Sequence, residues 1–167
     1  IKVSESEEIL DDNIKPEEQA TQLAHLKAKE VFKKTEGDRI VIGADTVVAK
    51  NSKIYGKPKN REHAKQIIKQ LLEGNKTHEI ITGLSIFIEK EGKYEECKIF
   101  DKVKVYLKNM TDSEIEKWID TGHAMDKAGA YGIQNEFCVF VEKIEGNYSS
   151  AIGLPTHKVY DIIKKYI

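Results

Sequence analysis

The chain has 167 residues, with 27 Lys and Arg against 28 Asp and Glu, 40% hydrophobic residues and three prolines, the composition of one ordinary globular domain spanning 1–167. A net charge of −1 excludes a dedicated nucleic-acid binder, which would carry a strong basic excess. Its longest apolar runs, Val41 to Ala49 and Ile80 to Ile88, are about nine residues, whereas a membrane span needs roughly 20, and no secretory signal opens the chain.

In chain order, the sequence opens on strand-like Ile1-Lys2-Val3, so further residues upstream are expected. Glu5, Glu7 and Glu8 follow as an acidic cluster, most simply a solvated turn. Pro16 suits the first turn of a helix, Glu17 and Glu18 complement its N-terminus, and apolar residues recur at Ala20, Leu23, Ala24, Ala28, Val31 and Phe32. Arg39 to Ala49 is apolar on both alternating faces, the pattern of a central strand. Asn60 to Leu72 predicts a second helix ended by Gly74, and Thr77 to Glu89 and Tyr94 to Leu107 predict strands joined by a turn. Thr111-Asp-Ser-Glu114 has capping-box spacing for a helix to about Asp120. Phe137 to Ile144 reads as a strand and Leu154 to Tyr166 as a closing helix. The expected fold is α/β, a mixed, twisted central sheet flanked by helices, antiparallel at least at the two long strands after residue 77. Cys97 and Cys138 have no CxxC or histidine-spaced partner, so two reduced thiols in a cytoplasmic protein are expected.

Polar residues at positions suited to apolar ones carry the functional signal. Lys27 lies on the buried stripe of the first helix, either snorkelling over apolar surface or reaching into a polar cleft. Asp45 sits mid-strand among Ile42, Ala44, Val47 and Val48. An ionised carboxylate there costs several kcal/mol unless a cation, a metal or hydrogen-bond donors meet it, so it is either a structural partner of a lysine or a functional group. Gly43 beside it permits close approach of backbone or ligand. Tyr55-Gly-Lys57-Pro58 holds a lysine at a tight connection, and Met125 to Gln134 is either a plain loop or a backbone surface shaped for a ligand. Two lysines, a buried carboxylate and nearby acids make up a site for phosphate plus divalent metal, although no GxxxxGK[ST] or GxGxxG loop is present.

Val41-Ile-Gly-Ala-Asp45-Thr46-Val-Val, Gly56-Lys57-Pro58, His78-Glu-Ile-Ile-Thr82-Gly83, Asp126-Lys-Ala-Gly-Ala-Tyr-Gly-Ile-Gln134 and Gly153-Leu154-Pro155, with Lys27-Ala28 in place, resemble in order and spacing the Maf family of nucleoside triphosphate pyrophosphatases. The resemblance spans essentially the whole chain. It implies a Maf or inosine-triphosphatase-like fold with an active-site cleft, and hydrolysis of a nucleoside triphosphate to the monophosphate and pyrophosphate with Mg²⁺ or Mn²⁺. It further implies that Asp45 is proton acceptor or metal ligand, that Glu8 is metal-side, that Lys27 and Lys57 serve the phosphates, and that Thr46, Lys127 and Gln134 bind the substrate. The 126–134 segment resembles the dTTP/UTP branch, whose work is house-cleaning of nucleotide pools; the alternatives are a nucleotide-binding regulator of division and septum formation without turnover, or another base preference. Similar proteins are often homodimers. Three departures accompany the likeness. The family's Ser-x-Ser-Pro-Arg-Arg segment and first strand have no counterpart, so the chain is expected to lack them; Val103 stands where Thr is frequent; and Asn135 stands where Gly is usual.

Overall fold

A computed structural model describes residues 2, 4, 10–11 and 13–167. The elements in chain order are α1 (Pro16–Lys33), β1 (Arg39–Lys50), β2 (Lys53–Tyr55), α2 (Arg61–Leu72), β3 (Thr77–Lys90), β4 (Lys93–Leu107), α3 (Asp112–Asp120), 3₁₀ turns at Ala128–Ala130 and Glu136–Phe140, β5 (Val141–Glu145), α4 (Tyr148–Ala151) and α5 (Thr156–Ile163). The strands form one sheet in the order β2-β1-β3-β4-β5. The antiparallel pairing expected after residue 77 extends to every neighbouring pair among the described residues.

Side chains alternate between the faces of the sheet, and the two faces are covered differently. On one face α1 lies across β1 and β3, meeting them through Ala20, Ala24 and Ala28, all fully buried. The strands answer with glycine. A Cβ added at Gly83 would stand 2.3 Å from the carbonyl carbon of Ala20, and one at Gly43 would stand 2.4 Å from the carbonyl oxygen of Ala24. Only the absence of side chains there lets the helix backbone approach so closely.

The opposite face carries the largest core, in which Val48, Ile80, Val103 and Val105 of the sheet meet Ile67, Ile68 and Leu71 of α2, Ile115 and Trp118 of α3, and Phe137. A separate apolar cluster of Leu84, Ile86 and Ile88 packs beneath Val159 of α5. Val103 therefore belongs to the core.

Local chemistry fixes the element ends. Asn60 caps α2 by accepting from the His63 backbone N–H at 2.8 Å, and Thr111 and Glu114 form the expected capping box of α3. At the other end of α2, the Lys50 ammonium donates to the carbonyls of Gln70, Leu71 and Glu73 at 3.1, 2.9 and 2.6 Å. Those carbonyls are the acceptors a helix end leaves over, so a buried lysine is well placed there.

Three expectations are corrected. Phe137 to Ile144 is not one strand: Glu136–Phe140 coils as a 3₁₀ turn because Phe137 must pack on Trp118 and Tyr131, and only Val141–Glu145 joins the sheet. The closing helix is shorter, Thr156–Ile163, and a separate turn of helix precedes it at Tyr148–Ala151. Ile42 is 38% exposed, because β2 runs beside β1 only from Val48 to Lys50. Among the described residues the outer edge of β1 ahead of Val48 has no strand alongside it. Cys97 and Cys138 are both free thiols.

Candidate active site

A cleft of about 270 Å³ lies along the strand β1. Its lining includes Lys27 from α1, Ala44, Asp45, Thr46 and Val48 from β1, Lys57 from the connection after β2, the segment Asp126–Ala128 with Tyr131–Gln134, and Ala151–Gly153. Six of the seven positions singled out from sequence, Lys27, Asp45, Thr46, Lys57, Lys127 and Gln134, therefore surround one cavity, although they come from positions far apart in the chain. The seventh, Glu8, lies outside the described residues, as do Glu5 and Glu7.

Asp45 is 8% exposed and receives the Lys27 ammonium on Oδ1 at 2.5 Å. The register places Asp45 opposite Gly83 on the face that carries α1, and Lys27 projects from the middle of that helix between Ala24 and Ala28. The glycine contacts thus set how far the lysine stands from the carboxylate. A buried carboxylate with a cation in contact has its desolvation offset and can remain ionised in the cleft.

Thr46, the next residue, necessarily faces the other side of the sheet. It pairs with Thr82 of β3, and the two hydroxyls lie 2.8 Å apart. Lys57 is exposed at the cleft rim, at the end of a second hollow that shares Asp45 and Thr46 and is lined further by Tyr55, Lys59 and His63. Lys127 is ion-paired with Asp126 at 2.7 Å, which holds that carboxyl below its usual range. Gln134 is exposed at the rim. Asn135 has φ −103°, an ordinary extended value, so the loop makes no demand for glycine there.

The loop that carries Lys127 and Gln134 is backed by an aromatic layer. The Trp118 indole N–H donates to the carbonyl of Ala130 at 2.8 Å, clamping a residue whose φ of +59° is strained for alanine. Tyr131 packs on Phe137 with ring centroids 4.6 Å apart, and its hydroxyl lies 2.5 Å from Nε2 of His78. His78 is 2% exposed. Burial, helped by the charge of Lys50, pushes its pKa from 6.5 down to about 3. The unfolded chain therefore binds a proton on His78 between pH 6.5 and about 3 while the folded protein does not, so stability falls as the pH falls through that window. Unfolding by urea is expected to show a loss of about 2 kcal/mol between pH 6.5 and 5 attributable to His78. That slope is expected to flatten in His78→Asn; an identical slope in the variant would refute the assignment.

The oxygen donors suit a hard divalent cation. Among the described residues no three His, Cys, Asp or Glu side chains cluster into a complete cage, and Asp45 and Asp126 are the carboxylates of the cleft. An ion of the Mg²⁺ type is commonly held by one or two carboxylates, completed by substrate phosphates and water, so this donor set fits it.

Sequence reasoning gave no individual role to Tyr131, which lies in the 125–134 segment, to Ile152, or to Thr82 of the 78–83 motif; the first two line the cleft and Thr82 backs Thr46. Thr82 had a readable signal, since it and Ser85 are the hydroxyl residues in the largely apolar run Ile80 to Ile88. Tyr131 and Ile152 had none, since an aromatic or aliphatic residue in a loop is as readily core as pocket wall.

Residues 1–166 match the family model described as Maf-like protein. The chain is 43% identical over 166 residues to a protein of Alkaliphilus metalliredigens called dTTP/UTP pyrophosphatase, covering 98% of this chain and 83% of that relative. Proteins of the same name from Lachnoclostridium phytofermentans and Bacillus pumilus are 41% and 37% identical, over 98% and 99% of this chain and 82% and 84% of theirs.

Proposed function

Since the chain belongs to the Maf-like family, we propose that it is a nucleoside triphosphate pyrophosphatase that hydrolyses dTTP and UTP to the monophosphate and pyrophosphate. The observation that carries the reading is the convergence of Lys27, Asp45, Thr46, Lys57, Lys127 and Gln134 on one cleft around a buried carboxylate.

In this reading the oxygen of a water attacks the α-phosphorus and its proton passes to Asp45. The bond from the α-phosphorus to the bridging oxygen breaks, and its electron pair leaves with pyrophosphate. Lys27 keeps Asp45 charged and oriented as a base, and its ammonium with that of Lys57 offsets charge on the phosphates, a task fixed cations in a partly dry cleft do well. Asp45, with Glu8 as the second carboxylate implied by resemblance, would hold a Mg²⁺ or Mn²⁺, which when bound neutralises phosphate charge and lowers the pKa of coordinated water. Lys127 and Thr46 meet the nucleoside, and Gln134 offers a donor and an acceptor to a pyrimidine edge.

Incubation with Mg²⁺ and each nucleoside triphosphate tests this. UTP is expected to yield UMP and pyrophosphate; UDP and phosphate would reject the bond assignment, and a purine preference would reject the base assignment. No helix among the described residues is long and apolar enough to cross a membrane. A cytoplasmic location, where the nucleotide pools lie, and a homodimer are proposed with the function; fractionation and sedimentation velocity check them.

A further inference from the structure

Thr46, Thr82 and Asp101 lie side by side on three adjacent strands, forming a polar row between the two apolar clusters of that face. Ser150 of α4 sits against this row. Its backbone carbonyl accepts from the Thr82 hydroxyl at 2.8 Å, and its own hydroxyl donates to Asp101 at 2.5 Å. Thr82 and Ser150 are buried to within 1%. Asp101 is also held by Lys158 of α5 at 2.9 Å, so both α4 and α5 are tied to this carboxylate.

The protons in this row can be counted. A carbonyl oxygen only accepts, and a threonine hydroxyl has one proton. The proton of Thr82 is committed to Ser150, so the 2.8 Å contact between the two threonine hydroxyls is filled by the proton of Thr46. The Thr46 oxygen then meets the cleft with lone pairs alone.

Resting on the pyrophosphatase reading, we infer that Thr82 is a positioning residue for base selection: by taking the Thr46 proton it makes Thr46 an obligate acceptor, matched to the ring N3–H of uracil and thymine and opposed to the unprotonated N3 of cytosine. Thr82 touches no substrate. A site built around one polarity of hydrogen bond rejects the reversed partner because two acceptors face each other with no proton between them.

The test is kcat/KM for UTP and for CTP with Mg²⁺, measured on the full chain, Thr82→Val and Thr82→Ser. The unaltered protein is expected to favour UTP. In Thr82→Val the Thr46 hydroxyl is released to turn its proton into the cleft, and the UTP to CTP ratio is expected to fall about tenfold, the worth of one hydrogen bond. Thr82→Ser restores the acceptor and is expected to return the ratio to within about twofold. If both nucleotides lose efficiency equally in Thr82→Val, Thr82 is a packing residue only and the inference is overturned. Should Thr82→Val fail to fold, Thr46→Val removes the acceptor while keeping the Thr82–Ser150 bond, and an unchanged ratio there overturns it equally. Calorimetric binding of UTP and CTP reads the same ratio without turnover. Absence of hydrolysis with a UTP-selective, Thr82-dependent binding ratio would therefore reject the enzyme reading and sustain this one, whereas equal binding of UTP and CTP by the unaltered chain rejects this one.

Discussion

Asp45→Asn is expected to lower turnover of UTP about a thousandfold, the middle of the range for loss of a positioned general base. The amide keeps the shape of the carboxylate but neither takes a proton from water nor carries the charge that a lysine and a divalent cation require. Because the Lys27 side chain is a quarter exposed, its ammonium can turn toward solvent when the partner is neutralised. The unfolding free energy is therefore expected to change by no more than about 1 kcal/mol, in line with a partly solvated ion pair. Circular dichroism and urea unfolding beside the rate measurement separate the two effects. A variant that folds and retains the original rate would remove Asp45 from the chemistry.

Gly83→Ala is expected to destabilise the protein by about 3 kcal/mol, a drop in melting temperature of about 10 °C for a chain of this size. The new methyl would meet the Ala20 carbonyl carbon at 2.3 Å and the Thr21 nitrogen at 2.5 Å. Both are backbone atoms that no side-chain rotation can move aside. Relief comes only by lifting α1 from the sheet, which also separates Lys27 from Asp45. Activity is accordingly expected to fall together with stability, in contrast to Asp45→Asn. Thermal unfolding checks the first effect and kcat at a temperature well below the transition the second; a melting temperature within a degree or two of the original would show that the helix approach is not fixed by glycine.

Much of the fold was legible because its elements obey one periodicity each. The helix from Pro16, the helix after Asn60 and the capping box at Thr111 stand where hydrophobic spacing and end chemistry put them, and so do β1, β3 and β4. The failures have separate causes. Phe137 and its neighbours look like strand because a short continuous apolar run does not distinguish a strand from a turn held by one deeply packed ring. The helix expected from Leu154 to Tyr166 ignored the constraint just before it, where Gly153 adopts φ +102° and Pro155 follows. Lys27 and Asp45 were readable because charged groups at core positions need partners, whereas Thr46, Lys127 and Gln134 stood out only through the family resemblance, and Lys57 as a lysine in a tight connection. The network behind Thr46 was not readable, since Ser150 contributes a backbone carbonyl, and any residue type has one.

The register between β1 and β3 also has a meaning for change in the chain length. Asp45 and Thr46 serve opposite faces of the sheet, one toward Lys27 and the other toward Thr82. If β1 absorbed a single-residue deletion between Arg39 and Asp45 by slipping against β3, the Thr46 hydroxyl would take the place opposite Gly83 and face the lysine, whereas a single-residue insertion would put the Asp45 carboxylate opposite Thr82 in the threonine row. Either slip moves the carboxylate off the face that carries Lys27, so indels are tolerable in the connections and not within β1.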